Sequence, residues 1–258
     1  MKTAFLSLLA VAAVVLASLT PAPARQEPDK KDAEKLPDFP KLDPKNVVVP
    51  LNEGKTIFAE VAVEGDKKKV KRVGLACEVC LREGPLECFL CKKGTKEHEA
   101  IVRIDADAKF IHLALEAAGA TKGTPTQFVD PKTEEPKYKA ATGTKLNVIA
   151  HYTKGGKTFT HPAQDWIWDT KKKASIAHGW VFTGSVLIKD PCRPNAEPFY
   201  GANSGDIISI SNFPYSMLEM PVEISKDDAN LTFEAKTEKI PALYSKVWII
   251  LEPVPEKK

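Results

Sequence analysis

The feature that most limits what this chain can fold into is a series of short, β-branched apolar segments, each closed by glycine, proline, asparagine or aspartate. In "TIFAEVAVEG", Ile57, Ala59, Val61 and Val63 fall on one side, the period-two pattern of a half-buried strand. "VKRVGLAC", "EAIVRI", "KLNVIAHYT", "WVFTGSVLI", "DIISIS", "NLTFEA" and "KVWIILEP" read the same way. Turn-forming clusters such as "GTPTQFVDPKTEEP", "DPCRPNAEP" and "SNFPYS" separate them. Strands joined by short links pair antiparallel, because a parallel return needs a crossover of about a dozen residues or more. One segment departs from the pattern. "DAKFIHLALEAAGA" has Asp107 as an N-cap and Gly119 as the residue after the helix end. Its apolar positions leave only Lys109, His112 and Glu116 as a polar stripe, the signature of a helix buried against a sheet. A second, short helix is expected near Pro162. The fold class is therefore α+β: a mainly antiparallel β-sheet, sandwich- or barrel-like, with one buried helix near 107–118.

The chain opens "MKTAFLSLLAVAAVVLASLTPAPA": Lys2, an apolar run from Ala4 to Leu19, then Ala22-Pro23-Ala24. That order is a secretory signal peptide with an A-x-A cleavage site, and the run is shorter than the roughly 20 residues of a spanning helix. The competing reading is an uncleaved anchor. Residues 25–44 are charged and proline-rich and are expected to be a disordered tether. Residues 45–254 form the folded part, and 255–258 a short tail. The chain carries 37 Lys and Arg against 34 Asp and Glu. The leader removes one Lys and no acid, so the mature charge is +2. So balanced a charge gives no field for nucleic acid. The expected product is exported, periplasmic or extracellular, with no membrane span after cleavage.

Chemistry concentrates in "CEVCLREGPLECFLCKKGTKEHEA". Cys77, Cys80, Cys88 and Cys91 give C-x2-C-x7-C-x2-C. In an exported protein, disulfides are the default fate of such thiols. An antiparallel hairpin turning at Gly84-Pro85 would place 77 opposite 91 and 80 opposite 88. Each bridge would contribute about 2–3 kcal/mol. A four-thiolate site for zinc or an iron–sulfur cluster is the alternative. Against it, the middle spacing is short, and positions 77 and 80 of one strand face opposite ways. A C-x-x-C redox centre needs a helix start that neither pair has. Cys192 is left over, as a free thiol or an interchain bond.

Candidate binding residues flank the cysteines: Arg82, Glu83 and Glu87 around the turn, then Lys96, Glu97, His98 and Glu99, where "KEHEAI" alternates as a strand. Glu97 and Glu99 would share one face and His98 the other; solvated edge charges are the plain alternative. His112 joins them as a candidate, with an ion pair to Glu116 as its plain alternative. Trp166, Trp168, Trp180 and Phe182 read as core. There is no G-x-S-x-G elbow, no H-E-x-x-H and no phosphate-cradling glycine loop. Asn230-Leu231-Thr232 is a glycosylation sequon in form.

"CLREGPLECFLCKKGTKEHEAI", the helix "FIHLALEAAGATKGTP" and "WVFTGSVLI" together resemble the YdjY-like domain family, over about residues 45–254. The resemblance implies no assigned reaction, and a redox link through iron–sulfur segments in some members. The family pattern has cysteines at Cys80 and Cys91, which favours pairing 80 with 91 and 77 with 88. The expected function is a non-catalytic binding domain for a protein or small-molecule ligand, with no cofactor, in which a disulfide-stapled hairpin presents the charged residues. The alternative is a zinc, iron–sulfur or thiol redox protein.

Overall fold

The computed structural model describes residues 32–129, 133, 135–224 and 232–255. The leader, Asn230 and Leu231 lie outside them. In chain order the strands are β1 (Val47–Pro50), β2 (Ile57–Glu64), β3 (Lys67–Val79), β4 (Cys88–Lys92) and β5 (Ala100–Ile104). The helix α1 (Ala108–Ala117) follows. Then come β6 (Gln127–Val129), β7 (Pro136–Lys139), β8 (Lys145–Lys154), β9 (Lys157–Pro162), β10 (Ile167–Asp169) and β11 (Ala174–Ser175). The last are β12 (Trp180–Phe182), β13 (Leu187–Ile188), β14 (Phe199–Tyr200), β15 (Ile208–Ser209), β16 (Leu218–Glu219), β17 (Phe233–Ala235) and β18 (Lys246–Pro253).

Eight strands close on themselves in the order β3, β18, β8, β12, β16, β15, β4, β5, and β5 pairs back to β3 through Glu78↔Arg103 and Val79↔Val102. The result is a barrel, which leaves no free edge along its ring. β1 and β2 extend it beside β3, and β9 beside β8. The hairpins follow local chemistry. Gly155-Gly156, with φ of +58° and +72°, supplies the doubly left-handed turn between β8 and β9. β18, "KVWIILEP", pairs on both sides and buries Val247 through Leu251. Inside, Phe89 lies 6.1 Å from Trp166 and 5.9 Å from Trp180 by ring centroid. The Trp180 indole N–H donates to the Ser209 carbonyl at 2.8 Å. Trp166, Trp180 and Phe182 are fully buried and Trp168 half-buried, as core residues should be.

Two strand contacts are parallel, β15–β16 and β4–β5. The second overturns the hairpin expectation. β4 does not fold back on β3, because β5 sits between them. Cys77 lies opposite Val247, Cys88 opposite Ala100 and Ser209, and Cys91 opposite Arg103, so the 77–91 and 80–88 register does not form. "REGPLE" is a strap rather than a turn tip: Leu86 N–H donates to Phe233 O, and Ala235 N–H to Gly84 O.

α1 forms as expected, with the Asp107 carboxylate accepting from Lys109 N–H at 2.8 Å. It is only half buried. Ala108, Ile111, Ala114 and Leu115 face the core, while Phe110 and Leu113 are 49% and 58% exposed. An apolar run that wraps a helix has more surface than one sheet contact can cover. Near Pro162 there is a single 3-10 turn, Ala163–Trp166, before β10 takes over.

The charged segment before Lys45 differs from the expected tether. Within 32–44 it crosses the outer sheet as a strap. Glu34 exchanges hydrogen bonds with Ser245 and Lys246. The Trp248 indole N–H donates to Pro37 O at 2.9 Å, and Phe39 packs edge-on against Trp248 at 5.1 Å. Leu42 N–H donates to Glu60 at 2.6 Å. Few apolar groups are enough here because backbone carbonyls at 37, 38 and 40 meet fixed donors on the sheet. Below the strap, Arg72 and Glu60 form an ion pair with side chains 6% and 0% exposed. Burial alone would raise the Glu60 pKa, but hydrogen bonds from Asn46, Arg72 and Leu42 hold it below the usual carboxylate range.

Replacing Arg72 with Met should cost about 3–5 kcal/mol, since it strands a buried carboxylate. The deficit, read from urea unfolding, should be complete only above the Glu60 value of the variant, which burial now raises. It should shrink as pH falls below that value and be gone below the depressed wild-type value, where Glu60 is protonated in both proteins.

Candidate functional site

The site is built by one short return. β4 and β5 are parallel, with Cys88↔Ala100 and Lys92↔Ile104 in register. The chain leaving Lys92 must travel back roughly 13 Å to begin β5. Residues 93–99 do this without a helix, so they run directly over the strands they connect. Gly94 turns the chain at φ +81°. Its N–H donates to Glu97 Oε1 at 2.9 Å, and the Thr95 hydroxyl to Lys92 O at 2.5 Å. "KEHE" is therefore a chain of turns, not the expected strand. The periodicity of two there was a coincidence of charges.

This return drops Lys96 into a ring of acids. Its Nζ lies 3.3 Å from Glu87 Oε2, 3.2 Å from Glu99 Oε1 and 3.2 Å from Asp206 Oδ1, and 3.8 Å from the centre of the Phe213 ring. All four charged side chains are at least three-quarters shielded, Lys96 at 22% exposure being the most open. Burial works against the ammonium, and the neighbouring Cys88 sulfur, then Asp206 and Glu99, more than offset it, so its pKa is raised. Glu87 is raised as well, first by burial and then by the charge of Glu99 beside it. Among the described residues, three carboxylates share this one ammonium, with His98 at the rim beside Glu99.

The other sequence candidates separate. Glu97 is a clamp: besides Gly94 it takes Arg103 Nη1 at 3.0 Å, and Arg103 also holds Glu78. His98 stands out at 74% exposure, with Nε2 3.7 Å from Glu99 Oε2. Arg82 faces away and donates to the carbonyls of Thr237 and Ile240. Glu83 is exposed on the same strap. His112 belongs to another place, beside Tyr200 and Phe182. Asp206, Phe213 and Ser204, whose hydroxyl donates to Asp206 at 3.1 Å, were invisible in the sequence. They lie more than a hundred residues downstream in ordinary loops, and no local pattern marks them.

None of the five cysteines is bonded to another in the structure; Cys77, Cys88 and Cys91 are buried, Cys80 half-buried and Cys192 exposed. Cys88 and Cys91 pack with Ala100 and Phe213 in a small cluster, whereas Cys77 belongs to the main core. The Cys80 thiol donates to the Ala100 carbonyl at 3.1 Å, and the nearby Cys80 sulfur, then burial, push the Cys91 pKa up. Burial, with Asp206 second, raises Cys88, and burial, with Cys91 second, raises Cys77. Thiols held protonated in this way are poor nucleophiles. Among the described residues, no three His, Cys, Asp or Glu side chains are grouped so as to hold a metal ion. No helix among them is long and apolar enough to cross a membrane.

The sequence profile described as the YdjY domain matches residues 61–252, the whole of the barrel from mid-β2 to the end of β18. The chain belongs to the YdjY domain family. Comparison with curated proteins and with solved structures gives no match. In this YdjY domain, the 93–99 return, the cysteine cluster and α1 all lie inside the matched span.

Lys96→Met should lower stability by about 2 kcal/mol at neutral pH, because it removes the shared donor of three shielded carboxylates. The Glu87 pKa, already raised, then rises further. The penalty is therefore full above that raised value and is relieved as Glu87 protonates. Urea midpoints measured at neutral and mildly acidic pH should converge for variant and wild type.

Proposed function

We propose that this YdjY domain is an exported, non-catalytic binding domain whose site is the acidic ring around Lys96, and that its partner presents a cationic group. The observation that carries this reading is the excess of carboxylate over ammonium: Glu87, Glu99 and Asp206 share a single Lys96. A protonated amine or guanidinium from a protein or small molecule would complete the charge balance. His98, open to solvent next to Glu99, stands at the rim. Support for export comes from the leader alone, with its Lys2, apolar run and A-x-A site.

The staple in this reading is a single Cys80–Cys91 disulfide. What supports it is that Cys80, just after β3, is the largest influence on the thiol of Cys91 in β4. It would tie the base of the 93–99 return to the end of β3, across β5. Cys77 sits in a different cluster from Cys88, so the second pair suggested by the family pattern has no such support. The raised thiol pKa values speak against reactive thiolates, and a closed 80–91 bridge would remove two of four potential metal ligands.

Intact mass of exported protein, alkylated in denaturant, should be short of two hydrogens, and digestion should yield one peptide pair joined through Cys80 and Cys91. Five alkylated cysteines, or stoichiometric zinc or iron, would replace this staple with the metal reading. Amide shifts on adding a trilysine peptide should map to residues 95–99 and 204–206, with triglutamate giving none. Glu99→Gln should weaken trilysine about tenfold, the loss of one charge-assisted contact. Shifts scattered over the surface, or indifference to Glu99→Gln, would refute the acidic ring as the binding site.

A further inference from the structure

A second site lies at the exposed side of α1, separate from the acidic ring. His112, Tyr200 and Gly184 border a cavity of about 360 Å³, inside the usual size range of small-ligand pockets. Leu113 and Leu187 form its mouth and are 58% and 63% exposed. Phe110 and Phe199 stand nearby in chain, each 49% exposed. Large side chains left this open on a folded surface mark interaction sites.

The cavity wall is fixed rather than incidental. The Tyr200 hydroxyl donates to the Gly184 carbonyl at 3.0 Å. Its only proton is then committed, so the 2.8 Å contact with His112 Nδ1 must be donated by the imidazole. That fixes the ring's orientation. A side chain at position 184 would collide with what closes in on it: a Cβ there would lie 2.7 Å from Lys122 Cβ and 3.2 Å from His112 Cε1. Glycine lets the Lys122 stem and the His112 ring line the cavity together.

The charged groups that line it have one sign, while Asp107 and Glu116 stand behind the Tyr200 and His112 wall. Lys109 and Lys122 line the cavity and no carboxylate does. Glu116 sits at the other edge of the imidazole, 3.3 Å from Nε2. Glu197 reaches Lys109 only at 3.9 Å and is 93% exposed. Lys122 forms no ion pair among the described residues.

We propose that this cavity binds a small amphipathic anion, an aliphatic or aromatic carboxylate, with its acid group at Lys122 and Lys109 and its apolar part between Leu113 and Leu187. The apolar walls supply burial and the two ammonium groups supply the sign. Its chemistry is opposite to that of the acidic ring, so the two sites are independent.

The test uses the mature chain, residues 25–258, with anilinonaphthalene sulfonate as a fluorescent probe. The probe should bind saturably and be displaced by octanoate, with octylammonium and octanol weaker by at least about tenfold. Lys122→Glu and Leu113→Asp should each weaken octanoate by a similar factor. Both positions are exposed, so urea midpoints should stay at the wild-type value and separate lost binding from lost folding. Equal competition by octylammonium or octanol, no saturable binding, or full octanoate affinity in both variants would overturn the proposal. So would a concentration-dependent dimer that Leu113→Asp abolishes, since a second copy would then be the occupant.

Discussion

The structure depends on β5 lying between β3 and β4. Two register pairs, Glu78↔Arg103 and Val79↔Val102, turn an open sheet into a ring. Without them the end of β3 and one side of β5 would lack a ladder partner, an invitation to pair with another chain. Closure also buries the strand between: Ala100, Ile101, Val102 and Ile104 are at most 1% exposed. The ion pair from Glu78 to Arg103 lies across the seam, and Glu97 joins it from the return loop.

The acidic ring follows from that seam. A parallel neighbour reached by only seven residues leaves the link no route except over its own strands. Gly94, Thr95 and Glu97 tie the link down, and Lys96 is delivered to carboxylates that come from three separate pieces of chain. The segment from Tyr200 to Asp206 then joins the two ends of the molecule's chemistry. Tyr200 orders His112, Asn203 accepts from Ala108 N–H at 2.9 Å at the start of α1, and Asp206 reaches Lys96. A cation-seeking ring and a basic, apolar-walled cavity are thus fixed by one short stretch while keeping opposite character.

The outer face is finished by the strap of residues 32–44. It covers Trp248 and the Arg72–Glu60 pair, groups that would otherwise sit at a sheet surface open to water. His151 shows the same enclosure: burial lowers its pKa, helped by the charge of Arg72, while its Nε2 is held at 3.1 Å from the Asp38 carbonyl. The strap is made of residues that look disordered by composition, and its order comes from backbone hydrogen bonds rather than from apolar area.

The sequence by itself determined most of the long strands, the α1 caps and most of the core, though "KEHE" is turns and "WVFTGSVLI" breaks at Gly184 into two strands. Period-two alternation, a side-chain N-cap and buried aromatics are local properties, legible because each depends on neighbours within a few residues. It also pointed to the right stretch of chemistry, since Glu87, Lys96 and Glu99 do meet. Tertiary structure alone decided the rest. The cysteines were expected to share one hairpin, and they lie on strands separated by β5, because strand order is set by which apolar faces close the barrel and not by nearness in sequence. For the same reason Asp206 and Phe213 enter one site and His112 and Lys122 another. Which distant loops come together is a consequence of closure, and closure is a property of the whole ring.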